Sequence, residues 1–176
     1  VCVTAQHREM LDQVLEIFNI VPDADFNLMR PNQTLSSLTS LIINSIDEYF
    51  TLQKPDVAIV QGDTTTVMAV SLVSFYHKIK VAHVEAGLRT HDKFSPFPEE
   101  INRVITSRIA DFHFAPTEIS QNNLIDEGIA PEGIYITGNT VIDALFLAKE
   151  KVKELNPEIL GLDINSFNEI GPYVLI

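Results

Sequence analysis

Polar residues follow three apolar runs of the sequence at the points where strands of a parallel sheet would end. They are Asp63 after Val57–Gln61, Glu85 with Arg89 after residues 79–84, and Asn139 after residues 134–137. Ligands of an open α/β sheet bind in the crevice beyond the carboxyl ends of its strands. The spacing therefore predicts that two carboxylates, an arginine and a Gly-Asn-Thr helix start meet at one edge of a sheet.

Glu85 is a candidate for acid–base chemistry, because it directly follows an apolar strand and precedes a glycine. Carboxylates placed at an apolar edge of a cleft are common proton-transfer groups. The alternative is that Glu85 forms a structural ion pair with Arg89 or Arg103. The sequence leaves both interpretations open.

Residues 62–66 read Gly-Asp-Thr-Thr-Thr and indicate a tight turn from a strand into a helix. The free backbone N–H groups and the dipole of such a helix start can bind an anion. The alternative is that Asp63 and Thr64 only cap the helix, as these residue types commonly do. The segment lacks the second glycine and the lysine of a P-loop, and the chain contains no G-x-G-x-x-G.

Glu99 and Glu100 open a helical stretch directly after Ser-Pro-Phe-Pro at residues 95–98. Acidic residues stabilise a first helical turn, and Glu99 with Arg103 has the i,i+4 spacing of a helical ion pair. The proline-rich approach fixes where the helix start points, which makes Glu99 a further site candidate. No metal site is predicted, because the five histidines and one cysteine form no zinc-binding pattern, and His83 is predicted to be a satisfied structural histidine.

The elements that must position these residues alternate between short β-type runs and longer helical periods. Strands are predicted at residues 1–5, 26–29, 57–60, 79–84, 112–115, 134–137 and 172–176. Helices are predicted at residues 10–18, from 35 with Thr34 as N-cap, at 65–76 and 99–109, from 117, and at 140–154. This alternation predicts an α/β fold with a doubly wound parallel sheet, Rossmann-like, whose 57–60 strand is buried on both faces.

Composition excludes several classes of protein. The 176 residues carry 24 acidic and 12 basic side chains, a formal net charge of −12, which argues against a nucleic-acid partner. No apolar run reaches the roughly 18 residues of a membrane span. The single Cys2 excludes an internal disulfide and fits a reducing compartment, so a cytoplasmic location is predicted.

Five segments, in this order and at these spacings, together resemble the non-hydrolysing UDP-N-acetylglucosamine 2-epimerases. They are residues 4–8 (TAQHR), 61–66 (QGDTTT), 83–90 (HVEAGLRT), 95–103 (SPFPEEINR) and 137–143 (TGNTVID). The resemblance implies one half of a GT-B architecture, in which two Rossmann-like domains hold a nucleotide sugar between them. It further implies interconversion of UDP-GlcNAc and UDP-ManNAc by elimination and re-addition of UDP, with no NAD or other cofactor.

The resemblance also implies roles for individual residues. Asp63, Glu85 and Glu99 match the acidic residues implicated in catalysis, with Asp63 and Glu99 as acid–base candidates and Glu85 as an orienting residue or a partner. Substrate-binding positions implied in the same way are Gln6, His7, Thr64, Arg89, Arg103 and Asn139. A homodimer formed through the N-terminal domain is expected.

The domain plan that follows has residues 1–154 as the N-terminal domain without its first strand, loop and helix. Residues 155–171 are then a linker, and residues 172–176 begin the second domain. Family segments that read Gly-Thr-Arg-Pro-Glu and Thr-Gly-His-Arg-Arg-Glu are expected before Val1 and after Ile176, so the 176 residues alone are predicted to be inactive. Three alternatives are an inactive nucleotide-sugar-binding or dimerisation module, a GT-B glycosyltransferase without the acidic motifs, and a metal-dependent phosphohydrolase.

Overall fold

The computed structural model describes residues 1–5 and 8–152. Its strands are β1 (Cys2–Val3), β2 (Ala24–Asp25), β3 (Val57–Gln61), β4 (Lys80–Val84), β5 (Phe112–Ala115) and β6 (Ile134–Ile136). Its helices are α1 (Arg8–Ile17), α2 (Leu35–Gln53), α3 (Thr65–Tyr76), α4 (Glu99–Ile109), α5 (Glu118–Asp126) and α6 (Thr140–Val152), with a 3₁₀ turn at Pro131–Gly133.

Strands β3 to β6 form a four-stranded parallel sheet in the order β3-β4-β5-β6. The register pairs Ala82 with Ile59 on one side and with Phe112 on the other, and β1 and β2 form a separate two-stranded parallel sheet. Parallel neighbours require crossover connections, and helices supply them here between each consecutive pair of sheet strands. The predicted α/β class, with parallel strands and flanking helices, is confirmed.

Helix α2 packs its apolar stripe against α3 and β3 to form the largest core cluster. Leu38, Ile42 and Ile46 recur at i, i+4 and i+8, and each is buried. Thr34 caps the helix as predicted, since its side chain accepts a hydrogen bond from the Ser37 backbone N–H at 3.2 Å. Burial of each large aliphatic side chain stabilises the fold by roughly 1.5–3 kcal/mol.

Strand β3 differs from its prediction, because only one of its faces is buried within the described residues. Ala58 is 8% exposed while the next residue, Ile59, is 74% exposed. Successive strand residues point to opposite faces, and the face carrying Ala58 is the one that α2 and α3 cover. A continuous apolar run in the sequence therefore predicts a strand, but it does not indicate whether both faces of that strand are covered.

Strand β2 lies at Ala24–Asp25, so the prediction of a strand at residues 26–29 was wrong. Asn27 has φ 45°, and its backbone N–H donates to the Asp25 side chain at 3.2 Å. This short turn takes the backbone out of the extended conformation.

The chain divides into two compact units, Val1–Asn139 and Thr140–Ile176. The first contains both sheets and helices α1 to α5, and of the second the structure describes α6, whose last turn carries Lys149 and Lys151. The predicted linker at residues 155–171 and the predicted strand at 172–176 lie outside the described residues.

Candidate active site

The carboxyl ends of the sheet strands meet at one edge, as the sequence predicted. The Gly62 N–H donates to the Val84 carbonyl at 3.0 Å, which joins the turn after β3 to the end of β4. The Thr137 N–H donates to the Ala115 carbonyl at 3.0 Å, which joins the residue after β6 to the end of β5. Asp63, Glu85 and the half-buried Asn139 therefore all follow strand ends on this edge.

Asp63 is bound by Arg103 of helix α4. The guanidinium Nη2 lies 2.6 Å and Nε 2.9 Å from the same oxygen, Oδ2 of Asp63. Both side chains are mostly buried, at 27% and 14% exposure, so solvent screens the pair weakly. Oδ1 of Asp63 accepts no hydrogen bond from the described residues, which leaves it open to a ligand.

Glu100 is a buried member of this cluster whose role the sequence did not reveal. Its Oε1 accepts from the backbone N–H groups of Thr90 and His91 at 3.0 and 2.9 Å, and its Oε2 accepts from Arg103 at 3.0 Å. Burial raises the pKa of this carboxyl, but the two N–H donors and the guanidinium outweigh burial and hold its pKa below the ordinary value. Glu100 thus fixes both the loop after β4 and the arginine that holds Asp63.

Asn102 is the second residue that sequence reasoning missed. Its side-chain amide donates to the backbone carbonyl of Asp63 at 2.9 Å, and the residue is 4% exposed. The signal that could have found it is its place in the first turns of α4, between the candidates Glu99 and Arg103.

Glu85 is half-buried and directly follows β4 with a positive φ of 67°. Left-handed backbone is costly for a non-glycine residue, and such residues cluster at functional sites. A β-carbon built on Gly62 would lie 3.8 Å from Glu85 Oε2, so the Glu85 carboxylate lies over the turn that precedes Asp63. Neither of the ion pairs considered from the sequence forms, and within residues 1–5 and 8–152 the Glu85 carboxylate has no hydrogen-bond partner.

Glu99 begins helix α4 and is also half-buried. The predicted i,i+4 ion pair with Arg103 is absent, because Arg103 is occupied by Asp63 and by Glu100 one helical turn away. No other residue in the described part of the chain binds the Glu99 carboxylate. Helix α4 contacts Asp63 through Asn102 and Arg103, so its first residue, Glu99, begins on this side of the sheet. The described residues thus leave the carboxylates of Glu85 and Glu99 and Oδ1 of Asp63 without a hydrogen-bond partner.

The Arg89 side chain is buried, and its contacts favour a structural role over a ligand-binding one. It is 1% exposed, and Nε and Nη2 bind the two carboxylate oxygens of Glu127 at 2.7 and 2.8 Å. Nη2 also donates to the Ser107 hydroxyl at 3.0 Å and Nη1 to the Leu88 carbonyl at 2.8 Å. The geometry indicates that Arg89 ties the loop after β4 to helices α4 and α5.

Thr64 caps helix α3, because its hydroxyl accepts from the Val67 N–H at 3.4 Å. Thr64 is therefore a helix cap, and Asp63 binds Arg103 instead of capping. Thr4, after β1, hydrogen-bonds through its hydroxyl to Thr66 at 2.9 Å and brings that segment to the start of α3. Gln6 and His7, predicted to bind substrate, lie outside the described residues.

Two further properties of the described residues bear on this site. No group of three histidine, cysteine, aspartate or glutamate side chains there is arranged to hold a metal ion. No helix in the same part of the chain has the length and apolar character needed to cross a membrane.

Comparison with known proteins identifies the family. Residues 1–170 match the family described as UDP-N-acetylglucosamine 2-epimerase. The chain belongs to the UDP-N-acetylglucosamine 2-epimerase family.

Relatives and solved structures agree on this family. The UDP-N-acetylglucosamine 2-epimerase of Neisseria meningitidis is 56% identical over 153 residues, which are 87% of this chain and 41% of the relative. A crystal structure of the N. meningitidis enzyme bound to UDP-GlcNAc superposes with a TM-score of 0.84, covering 87% of this chain and 41% of that one. The UDP-GlcNAc 2-epimerase of Methanocaldococcus jannaschii, solved with UDP-GlcNAc and UDP, is 42% identical with a TM-score of 0.80, covering 90% of this chain and 43% of that one. The chain thus spans less than half the length of these family members.

Proposed function

We propose that a protein carrying this chain at the length of its relatives interconverts UDP-GlcNAc and UDP-ManNAc. Elimination removes the C2 proton and breaks the bond from C1 to UDP, which leaves 2-acetamidoglucal with a C1–C2 double bond. Re-addition of UDP to C1 and of a proton to the other face of C2 gives the epimer. Family membership supports this reaction, and so does the relative solved with UDP-GlcNAc bound.

The observation that carries the proposal is the set of three carboxylates at one sheet edge. Elimination and re-addition need a base for the C2 proton and an acid for the departing diphosphate oxygen. Oδ1 of Asp63 and the carboxylate of Glu99 accept no hydrogen bond from the described residues, and we assign them these two tasks. Glu85, beside the Gly62 turn, orients the substrate between them.

Substrate binding must overcome the charge of the protein. The formal net charge of −12 repels an anionic diphosphate at long range. The N-terminus of α3, capped by Thr64, is therefore proposed to face the substrate, since helix starts attract anions. Arg103, Asn139, Gln6 and His7 remain proposed binding residues, whereas the contacts of Arg89 favour a structural role.

Incorporation of deuterium at C2 of the sugar tests the proposed reaction. Incubating UDP-GlcNAc with the protein in D2O should give UDP-ManNAc with deuterium at C2, read by NMR and mass spectrometry. The 176-residue chain alone is the second sample, and no conversion is expected from it. If the longer protein failed to incorporate deuterium at C2, the elimination mechanism would be wrong.

Matched variants separate chemistry from folding. Glu99→Gln, Asp63→Asn and Glu85→Gln should each lower kcat by about 10²–10⁴-fold with the fold retained. Glu118→Gln is the control for Glu99→Gln, because both glutamates open a helix and lose the same favourable interaction with its dipole. Similar kcat values for these two variants would remove Glu99 from the reaction.

We extend the proposal to a homodimer formed through this domain and to a cytoplasmic location. The dimer rests on the resemblance to the epimerases, and the location on the single cysteine, which leaves no internal disulfide for an oxidising compartment to form. Sedimentation velocity over a hundredfold concentration range tests the dimer. A monomer throughout would contradict it.

A further inference from the structure

His83 is a fully buried histidine of strand β4 that takes no part in the proposed chemistry. Its Nε2 lies 2.7 Å from the backbone carbonyl oxygen of Gly62. A carbonyl oxygen only accepts, so Nε2 carries the hydrogen and donates it. Burial, the largest effect, lowers the pKa of His83 to about 4, so the ring is neutral near pH 7.

Gly62 is held by β4 on both of its backbone polar groups. Its N–H donates to the Val84 carbonyl at 3.0 Å, and its own carbonyl accepts from His83. Its φ of 82° lies in the left-handed region, where the turn from β3 into α3 needs a glycine. Glycine leaves the backbone otherwise unrestrained, so these two hydrogen bonds define the direction of the turn.

The Gly62 carbonyl belongs to the peptide plane that contains the backbone nitrogen of Asp63. Asn102 then binds the carbonyl on the other side of Asp63 at 2.9 Å, and Arg103 binds its carboxylate. Asp63 is therefore fixed at the peptide before it, at the peptide after it and at its side chain. Only the first of these supports comes from the sheet, and it comes from His83.

We infer that His83 is a positioning residue for Asp63, acting through the Nε2–H bond to the Gly62 carbonyl. The inference rests on the proposed function, in which Asp63 contacts the reacting sugar. A displacement of about 1 Å in a reacting group can cost about 10²-fold in rate. Loss of this bond should therefore lower kcat and leave KM nearly unchanged, because Asp63 acts in the transition state.

His113 provides a matched control on the neighbouring strand. It pairs with His83 across β4 and β5, is 1% exposed, and its Nε2 hydrogen-bonds to the Ser107 carbonyl at 3.0 Å. Removing its imidazole leaves a similar defect in the core but touches neither Gly62 nor Asp63. His83→Met and His113→Met therefore differ in the support given to the Asp63 turn.

The kinetic test compares three variants of the intact protein. His83→Met should lower kcat roughly 10- to 100-fold with KM changed less than about threefold, whereas His113→Met should stay close to wild type. His83→Gln, whose side-chain amide can reach the same carbonyl, should restore most of the rate. Equal kcat values for the two methionine variants, or no advantage of glutamine over methionine, would overturn the inference.

A structural readout keeps the inference testable without turnover. If the wild-type protein converts no UDP-GlcNAc, the proposed function has failed, and crystal structures of the variants still examine the positioning. The Asp63 carboxylate should move by about 0.5 Å or more in His83→Met and stay in place in His113→Met. Should His83→Met not fold, ¹⁵N-histidine NMR of the wild type at pH 7 must show the Nε2–H tautomer, and an Nδ1–H tautomer would refute the assignment.

Discussion

Arg103 places two guanidinium nitrogens, Nε and Nη2, on the same carboxylate oxygen of Asp63, at 2.9 and 2.6 Å. The pair joins helix α4 to the turn after β3, and the third nitrogen of the guanidinium binds Glu100 at 3.0 Å. One arginine thus partners two carboxylates of the cluster and leaves Oδ1 of Asp63 for a ligand. The burial of the three side chains makes this arrangement important for stability.

Arg103→Met should lower the free energy of unfolding by about 3 kcal/mol, because it leaves two buried carboxylates without a counter-charge. Urea denaturation followed by circular dichroism measures the change. Arg8→Met is the control, since Arg8 also binds two aspartates, Asp12 and Asp25, but on the exposed surface where ion pairs contribute little. Equal destabilisation by both variants would contradict a special role for the buried cluster.

Glu85→Gly should be more stable than Glu85→Ala by about 1 kcal/mol, because glycine adopts the φ of 67° without the steric cost that alanine has. Both variants remove the carboxylate, so both should lose as much kcat in the D2O assay as Glu85→Gln. The difference in thermal midpoint between them measures the backbone effect alone. Equal thermal midpoints for Glu85→Ala and Glu85→Gly would show that the positive φ at this position costs no free energy.

The free energy of unfolding should decrease as the pH is lowered from about 6.5 to 4, because of His83. Its pKa in the folded protein, about 4, lies below the ordinary 6.5. Between these two pH values the unfolded chain therefore binds a proton on His83 and the folded protein does not. The free energy of unfolding should drop by about 3 kcal/mol across this range and be unaffected by this group above it. Glu100 and Glu127, whose pKa values are lowered from the ordinary 4.5, begin to add their own losses as the pH falls below about 4.5.

The matched variant for this pH dependence is His83→Gln, which does not titrate. Its unfolding free energy should stay flatter than that of the wild type between pH 6.5 and 4.5, as measured by urea titrations at several pH values. Parallel curves for the two proteins would show that His83 is not the group responsible.

Gly87→Ala should destabilise the protein by about 3 kcal/mol, far more than Gly128→Ala. A β-carbon on Gly87 would lie 2.1 Å from the Ser120 backbone oxygen, whereas one on Gly128 would meet nothing within 4 Å. Both glycines have a positive φ, at 86° and 83°, so the pair isolates the steric clash from the backbone strain of about 1 kcal/mol. Thermal unfolding compares them, and similar midpoints would mean that α5 does not approach this loop so closely.

Much of the local structure was predictable. Helices α3 and α4 have the predicted bounds, because Thr64 ends the preceding turn as a cap and Pro98 immediately precedes the first helical residue of α4. The second face of β3 was not predictable, since an apolar run has the same pattern whether or not a helix covers it. The prediction for residues 26–29 failed because a turn at Asn27 outweighed the apolar character of that segment.

The sequence by itself determined which residues stand at the carboxyl-end edge of the sheet. Asp63, Glu85 and Glu99 stand at strand and helix ends, and such positions follow from periodicity and turn residues within a few positions along the chain. Five short segments in order also sufficed to indicate the epimerase family, which the comparisons confirm.

Only the tertiary structure decided which charges pair. Arg103 forms ion pairs with Asp63, forty residues away in the sequence, and with Glu100 rather than Glu99. Arg89 forms its ion pair with Glu127. Ion pairs depend on separations of a few ångströms between distant parts of the chain, and these are set by how α4 and α5 pack on the sheet. That packing left Glu85 and Glu99 uncommitted, and no local pattern in the sequence contains this information.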